Sequence, residues 1–441
     1  MIDKGMKLAD IGKPEMVPAR DGYGKALVEL GEENKDVVVL TGDLSESTRV
    51  QWFQEKFPDR FFEVGVAEQN MVGLAAGLAL NGKIPFVSSY AVFCPGRAWD
   101  QTRVSVCYTR ANVKIAGAHA GISVGPDGAT HQALEDVASI RVLPNIVVIV
   151  PCDWQEARKA TKAAAAIKGP VYFRFGREKV PTITTDKTPF TVGKAEVYRE
   201  GEDVAIVACG AMVYEALIAA QLLEKEGIDA MVINNHTIKP IDKETLTQAA
   251  RRCGAMVTAE EHQINGGMGS AVMEVIAESF PVPIERVGMK DTFGESGKPS
   301  ELLVKYGMTS KEIVQAARSV VRRKFAYVQE FGPAICPQPV GMTPERAEQI
   351  LSPVPPHVTF KVANGEKVDS LQGLHHVLLA MDKETFSRHV NNGRNDFAQW
   401  VQDVHKDVEL AAVMRRHASK ASLARALGVR IAQLYEKKGG K

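Results

Sequence analysis

Short apolar runs alternate along the chain with stretches of helical period. Val37–Leu40, Ile84–Val87, Val113–Ala116, Ile146–Val150 and Val171–Phe175 are continuous apolar segments, which predict strands buried on both faces. Between them, Ala67–Leu80 and Asp153–Ala166 read as helices. This rhythm predicts a doubly wound α/β domain with a mainly parallel sheet. The stretch Glu178–Lys194 turns to Pro, Thr and charge and reads as a linker. A second α/β series follows: strands over Val204–Ala208, Ala230–Ile233 and Met256–Thr258, and helices over Met212–Lys225, Met268–Ser279 and Ser310–Lys324.

The prolines of 326–356 read as a linker without regular elements. Residues 357–441 read as a small, mostly α-helical domain of unknown role, with Leu378, Phe386, Phe397, Trp400 and Leu410 as core candidates.

Composition narrows the class without naming it. Lys+Arg 54 against Asp+Glu 53 leaves a net charge of +1, so no global field points to nucleic acid or a membrane surface. No apolar run reaches membrane-span length, and the first residues have no signal-peptide core. Six cysteines lie far apart with no CxxC pair, which argues against zinc and a disulfide framework and for reduced thiols in the cytoplasm. Six of the ten histidines fall from 357 onward at uneven spacing, so no metal ligands are assigned.

Ligands of open α/β sheets bind beyond the carboxyl ends of the strands, so the residues after each run matter most. Thr41–Ser47, Tyr90 and Phe93, the loop GAHAGISVGPDGATHQALED, and Gly176 with Arg177 follow four of them. His119, Asp127 and His131 in the glycine-rich loop supply donors, acceptors and proton-transfer capacity. Arg20 and Arg177 suit an anionic substrate, although a lone arginine in such a place is more often one half of a surface ion pair. Tyr90 and Phe93 either stack on a flat heterocycle or fill the core. Glu68 sits near the start of a Gly/Ala/Leu helix. It either enjoys the helix dipole there or is held for a ligand. Gly73 and Gly77 make one face of this helix small, fitting either a subunit contact or close packing on its own sheet.

Over 15–325 the chain resembles the carboxyl-terminal half of transketolase. The motifs are GDLSES, RFFEVGVAEQNMVGLAAGLAL, SSYAVF, HAGISVGPDGATHQ, LPNIVVIVPCD and GPVYFRFGR, then IKPID, AEEHQINGGMG and GESG. The resemblance implies a thiamine diphosphate pyrimidine-binding domain (15–180) and a transketolase C-terminal domain (193–325). It implies that Glu68 binds the aminopyrimidine and drives its imino tautomer, with Phe93 stacked on the ring and Tyr90 and Asp43 beside the cofactor. His119, Asp127 and His131 would hold sugars, His131 also acting in catalysis. Arg20, Ser47 and Arg177 would bind phosphate. The implied reaction moves a two-carbon ketol group from a ketose phosphate to an aldose phosphate, as in the pentose phosphate pathway.

The matched region does not include the family's diphosphate-binding domain with its GDG…N metal motif. The resemblance therefore implies a split enzyme: a separate partner subunit holds Mg²⁺ or Ca²⁺ and the diphosphate, and self-association across the pyrimidine domain builds a heterotetramer. The tyrosine usual three residues after the stacking Phe is replaced, since Cys94-Pro95-Gly96 follow Phe93. Other relatives remain open here: deoxyxylulose-phosphate synthase, which typically has arginine at the place of His119, and 2-oxo acid dehydrogenase β subunits, which lack GPDGATHQ. So does a non-catalytic regulatory protein acting through its tail. The basic segment SKASLARALGVRIAQLYEKK has a helix-turn-helix flavour but reads better as a docking or regulatory helix pair.

Overall fold

The computed structural model describes residues 4–331, 342–391, 394–416 and 419–438, in two compact units, Met1–Val321 and Arg322–Lys441. In the first, a seven-stranded sheet has the order Thr237–Lys239, Val147–Ile149, Val171–Arg174, Lys114–Ala118, Ile84–Tyr90, Val37–Thr41, Phe61–Glu63. Its strands are parallel except Thr237–Lys239, which the second domain lends to the edge in antiparallel register. A five-stranded sheet follows, ordered Ile284–Met289, Met256–Gln263, Val204–Ala208, Ala230–Asn234, Glu196–Arg199, with only the last antiparallel.

The apolar runs became strands because no residue in them needs water: Val37–Thr41, Lys114–Ala118 and Val204–Ala208 are buried throughout. Lys114 is the informative case. Its Nζ lies within hydrogen-bond distance of Asn112 Oδ1 (2.8 Å), Ile167 O (2.6 Å) and Gly169 O (2.7 Å), so the buried head is held by three acceptors while burial pushes its pKa down to about 7. The helix Trp154–Ala166 starts where the Asp153 side chain accepts from Glu156 N.

The longest of the helices that the apolar pattern did not announce is Ala19–Glu33. Tyr23, Leu27 and Leu30 bury its inner face, and Gly22 lets it lie against the start of Trp154–Ala166, since a Cβ there would sit 1.8 Å from Trp154 O. Arg20 therefore lies in the first turn of a helix, directly after the short strand Met16–Pro18. The stretch read as a linker is also ordered. Lys179–Pro181 pairs with Met16–Pro18, and the buried Asp153 carboxylate accepts from the backbone N–H groups of Ile183 and Thr184.

His236, buried between Ala230–Asn234 and Thr237–Lys239, packs on Phe190 at 4.3 Å and has its pKa pushed down to about 3 by burial. An unfolded histidine protonates near 6.5, so this site stabilises the fold fully above that pH and loses its contribution as pH falls from 6.5 toward 3. The urea midpoint of the chain is expected to drop between pH 7.5 and 5, and His236→Gln should flatten that drop. An unchanged slope in the variant would contradict the assignment.

In the second unit, Leu378, Phe386, Phe397, Trp400 and Leu410 are all buried in one core. Two-stranded hairpins, Phe360–Lys361 with Lys367–Val368 and Val390–Asn391 with Arg394–Asn395, accompany its helices. The expectation that 326–356 lacks regular elements is corrected. Helix Ser310–Phe331 runs into it, 332–341 lie outside the described residues, and Pro344–Leu351 is a helix. Pro344 occupies its first turn, where a missing N–H costs nothing, and the Thr343 side chain accepts from Arg346 N. The basic helix Lys420–Lys438 is embedded in this core. Its Arg430 is fully buried, paired with Asp407 (2.8 Å) and Glu409 (2.7 Å), which is a structural role and not that of a groove-reading residue.

Candidate active site

The site lies where strands of the seven-stranded sheet end. Glu63, the last residue of its strand, gathers two strand exits: Oε1 accepts from Asp43 N (2.7 Å) and Gly65 N (2.9 Å). Gly42 makes this possible, because a Cβ there would meet Gly65 O at 2.8 Å. The chain then enters the helix Glu68–Leu80 with Glu68 as its first residue, 2% exposed. Arg97 Nη1 stands 3.3 Å from each oxygen of the Glu68 carboxylate, and its guanidinium carbon lies 4.1 Å from the centre of the Phe93 ring.

Beside this pair is a cluster of rings. Tyr90 stacks on His119 at 3.9 Å and lies near parallel to Phe93 at 5.9 Å, while His131 meets Phe93 edge-on at 5.2 Å. His119 follows the strand Lys114–Ala118 with φ +53°, and its buried Nδ1 has no hydrogen-bond partner among the described residues. Burial, reinforced by Arg20 and Arg177, pushes its pKa down to about 3. His119 is therefore a neutral imidazole at working pH, able to accept as well as donate. His131 shares a hydrogen bond with Thr130 Oγ1 through Nδ1 (2.8 Å).

Two cations flank the rings. Arg20 Nη1 donates to Ser47 O (2.8 Å), so Ser47 enters through its carbonyl, and Arg20 Nε is buried with no hydrogen-bond partner among the described residues. Arg177 donates to Asp127 Oδ1 (3.1 Å) and Val124 O (3.2 Å). The structure thus brings Glu68, Tyr90, Phe93, His119 and His131 into one chain of contacts through Arg97. It joins Arg20 to Ser47 and Arg177 to Asp127, and ties Asp43 through its backbone to Glu63.

Sequence reasoning missed Arg97, Glu63 and Arg49. Arg97 follows Phe93 by four residues, a spacing that puts side chains together on a helical turn. Arg49 pairs with Asp21 (2.7 Å) and adds a third cation that bears on His119 and Arg20.

The second domain props the glycine-rich loop. Glu261 accepts from Ser123 N (2.6 Å), and Gly121 passes so close that a Cβ would sit 2.3 Å from Glu261 Oε1. Gln132 Nε2 donates to Glu295 O (2.9 Å). Beneath the loop, buried Arg174 pairs with Asp136 (2.8 Å), which also accepts from Tyr172 Oη (2.6 Å).

Residues 15–182 match the family model of the transketolase pyrimidine-binding domain, and 193–313 that of the transketolase C-terminal domain. The chain is 44% identical over 308 residues to the putative transketolase C-terminal section of Methanocaldococcus jannaschii, covering 69% of this chain and 96% of that protein. The chain belongs to the transketolase family. Several of its relatives within the family are separate subunits or sections rather than full-length enzymes. The chain is 45% identical over 305 residues to the 6-deoxy-6-sulfo-D-fructose transketolase subunit SqwH of a Clostridium species (69% of this chain, 95% of that subunit). It also superposes on a solved split-gene transketolase described as an inactive beta4 tetramer. There the TM-score is 0.66 and the identity 51%, over 70% of this chain and 99% of that one. The helical region after the second transketolase domain lies beyond the residues matched by the family models. Among the described residues, no helix is long and apolar enough to cross a membrane, and no group of three His, Cys, Asp or Glu side chains could hold a metal ion.

Proposed function

We propose that this chain is the pyrimidine-binding half of a two-subunit, thiamine diphosphate-dependent transketolase that moves a two-carbon ketol group between sugar phosphates. The observation that carries the reading is the buried Glu68 carboxylate, facing a planar N–H donor stacked on Phe93. That arrangement fits an aminopyrimidine: a flat ring for the Phe93 face and a ring nitrogen for the carboxylate. The cofactor, when bound, supplies a nucleophilic carbon that no amino-acid side chain offers.

The chain's own residues have separate tasks. Glu68 holds the proton at the pyrimidine ring nitrogen, at the dipole-favoured end of its helix. Tyr90 backs the neutral His119, and His119, His131 and Asp127 orient sugar hydroxyls, His131 also moving a proton at the substrate oxygen. Arg20 and Arg177, with the Ser47 turn, receive the phosphate. Asp43, fixed by Glu63, lines the cofactor's edge.

The diphosphate and its Mg²⁺ or Ca²⁺ belong to a partner subunit in this account, and two copies of each chain make the assembly. Self-association across the pyrimidine domain is supported by helix Glu68–Leu80. Among the described residues nothing lies within 4 Å of a Cβ added at Gly73 or Gly77, and Val66 and Leu74 are exposed beside them. The small face is therefore open rather than packed on its own sheet. The relatives do not favour the pentose phosphate pathway, since one of 45% identity bears the name of a sulfosugar transketolase.

His131→Ala tests the division of labour. In the two-subunit complex it is expected to raise KM for the ketose phosphate roughly tenfold through the lost polar contact, and to lower kcat through the lost proton transfer, while thiamine diphosphate affinity stays within about twofold. The reverse order would show that the glycine-rich loop serves the cofactor instead.

A further inference from the structure

Arg97 makes both contacts that the proposed function gives to the aminopyrimidine. Its guanidinium stacks on Phe93 with the central carbon 4.1 Å from the ring centre, and Nη1 lies 3.3 Å from both Glu68 oxygens. A guanidinium is flat, delocalised and edged with N–H donors, so it resembles a protonated aminopyrimidine in the features that Phe93 and Glu68 recognise.

The geometry also says that this seat can be vacated. The 3.3 Å contacts are longer than the roughly 2.7–2.9 Å of a well-closed charged pair. The Arg97 side chain is 50% exposed, whereas that of Glu68 is 3% exposed. The backbone of Arg97 is fixed independently: its N–H donates to Phe93 O (2.8 Å) and its carbonyl accepts from Gln69 Nε2 (3.2 Å). The guanidinium can therefore turn outward into water without any backbone change, and Glu68 cannot.

We propose, resting on the reading of this site as the pyrimidine pocket, that Arg97 is a placeholder which must swing off Phe93 and Glu68 before the cofactor's pyrimidine can seat. Seated, it satisfies a buried carboxylate that would otherwise be costly. It also competes with the ligand, because apparent affinity equals intrinsic affinity scaled by the fraction of molecules with Arg97 turned out.

The test is a thiamine diphosphate titration of the full chain in complex with its diphosphate-binding subunit, followed by calorimetry and stopped-flow fluorescence. Arg97→Ala is expected to bind the cofactor roughly fivefold tighter and faster, the weight of one half-exposed ion pair. Before the cofactor is added this variant should melt lower than the wild type, and it should gain more on addition. Arg97→Gln, which keeps the stem and loses the flat cation, should shift affinity in the same direction. It decides the matter if the alanine variant does not fold. Phe93→Ala and Glu68→Gln are run alongside. If these weaken binding while both Arg97 variants bind equally or more weakly than wild type, the placeholder is overturned and the pocket stands. If Phe93→Ala and Glu68→Gln leave affinity unmoved, the pocket reading falls and the placeholder with it.

Discussion

Glu68→Gln, in the reconstituted two-subunit complex, is expected to lower ketol transfer by about 10²–10⁴-fold, the range for loss of one positioned proton-handling group. The substitution is close to isosteric, and Glu68 lies at the base of a helix whose buried residues, Met71, Val72, Ala75 and Ala76, are untouched. The amide oxygen can still face Arg97, so assembly should survive. What is lost is the carboxylate's ability to hold and release a proton at the pyrimidine ring. Initial rates with a ketose phosphate donor, beside size-exclusion profiles, separate the two effects. Transfer within a few-fold of wild type would remove Glu68 from the mechanism.

The largest expected change in stability comes from Asp136→Ala. Arg174 and Asp136 are both buried and paired at 2.8 Å, and Arg174 Nη2 also donates to Ala133 O (3.2 Å) and Glu261 O (3.1 Å). Removing one partner of a buried pair leaves an uncompensated charge, which typically costs about 3–5 kcal/mol. Tyr172 Oη loses its acceptor as well. The urea midpoint of the full chain should fall accordingly. Because the network underlies the glycine-rich loop, sugar affinity should fall with it while Glu68 keeps its environment. A midpoint within error of wild type would mean that water or a neighbouring group replaces Asp136 without cost.

What was legible in the sequence follows from what the sequence encodes locally. Continuous apolar runs can only be buried strands or buried helices, and their length decided for strands at Val37–Thr41 and Val204–Ala208. The strand-exit rule then picked out Tyr90, Phe93, His119 and His131, which the structure brings into ring contact. Features that depend on two distant segments were not legible. The strand Thr237–Lys239 is too short to announce itself, and its pairing with Val147–Ile149 crosses from one domain to the other. Helix Ala19–Glu33 was hidden because its apolar stripe is broken by Gly22 and Gly24, small for packing reasons that only the partner surfaces reveal. Glu63 and Arg97 look like ordinary surface charges until the loops fold back on them. Pro344 misled because a proline breaks a helix interior yet suits its first turn.

In the proposed function this chain supplies half of a shared cofactor site. The most direct measurement is a calorimetric titration of thiamine diphosphate with Mg²⁺ into this chain alone, into the diphosphate-binding chain alone, and into their mixture. Saturable binding by the mixture and none by either chain separately is expected, with ketol transfer appearing only in the mixture. A complex that forms and binds no thiamine diphosphate would contradict it, as would full binding by this chain alone.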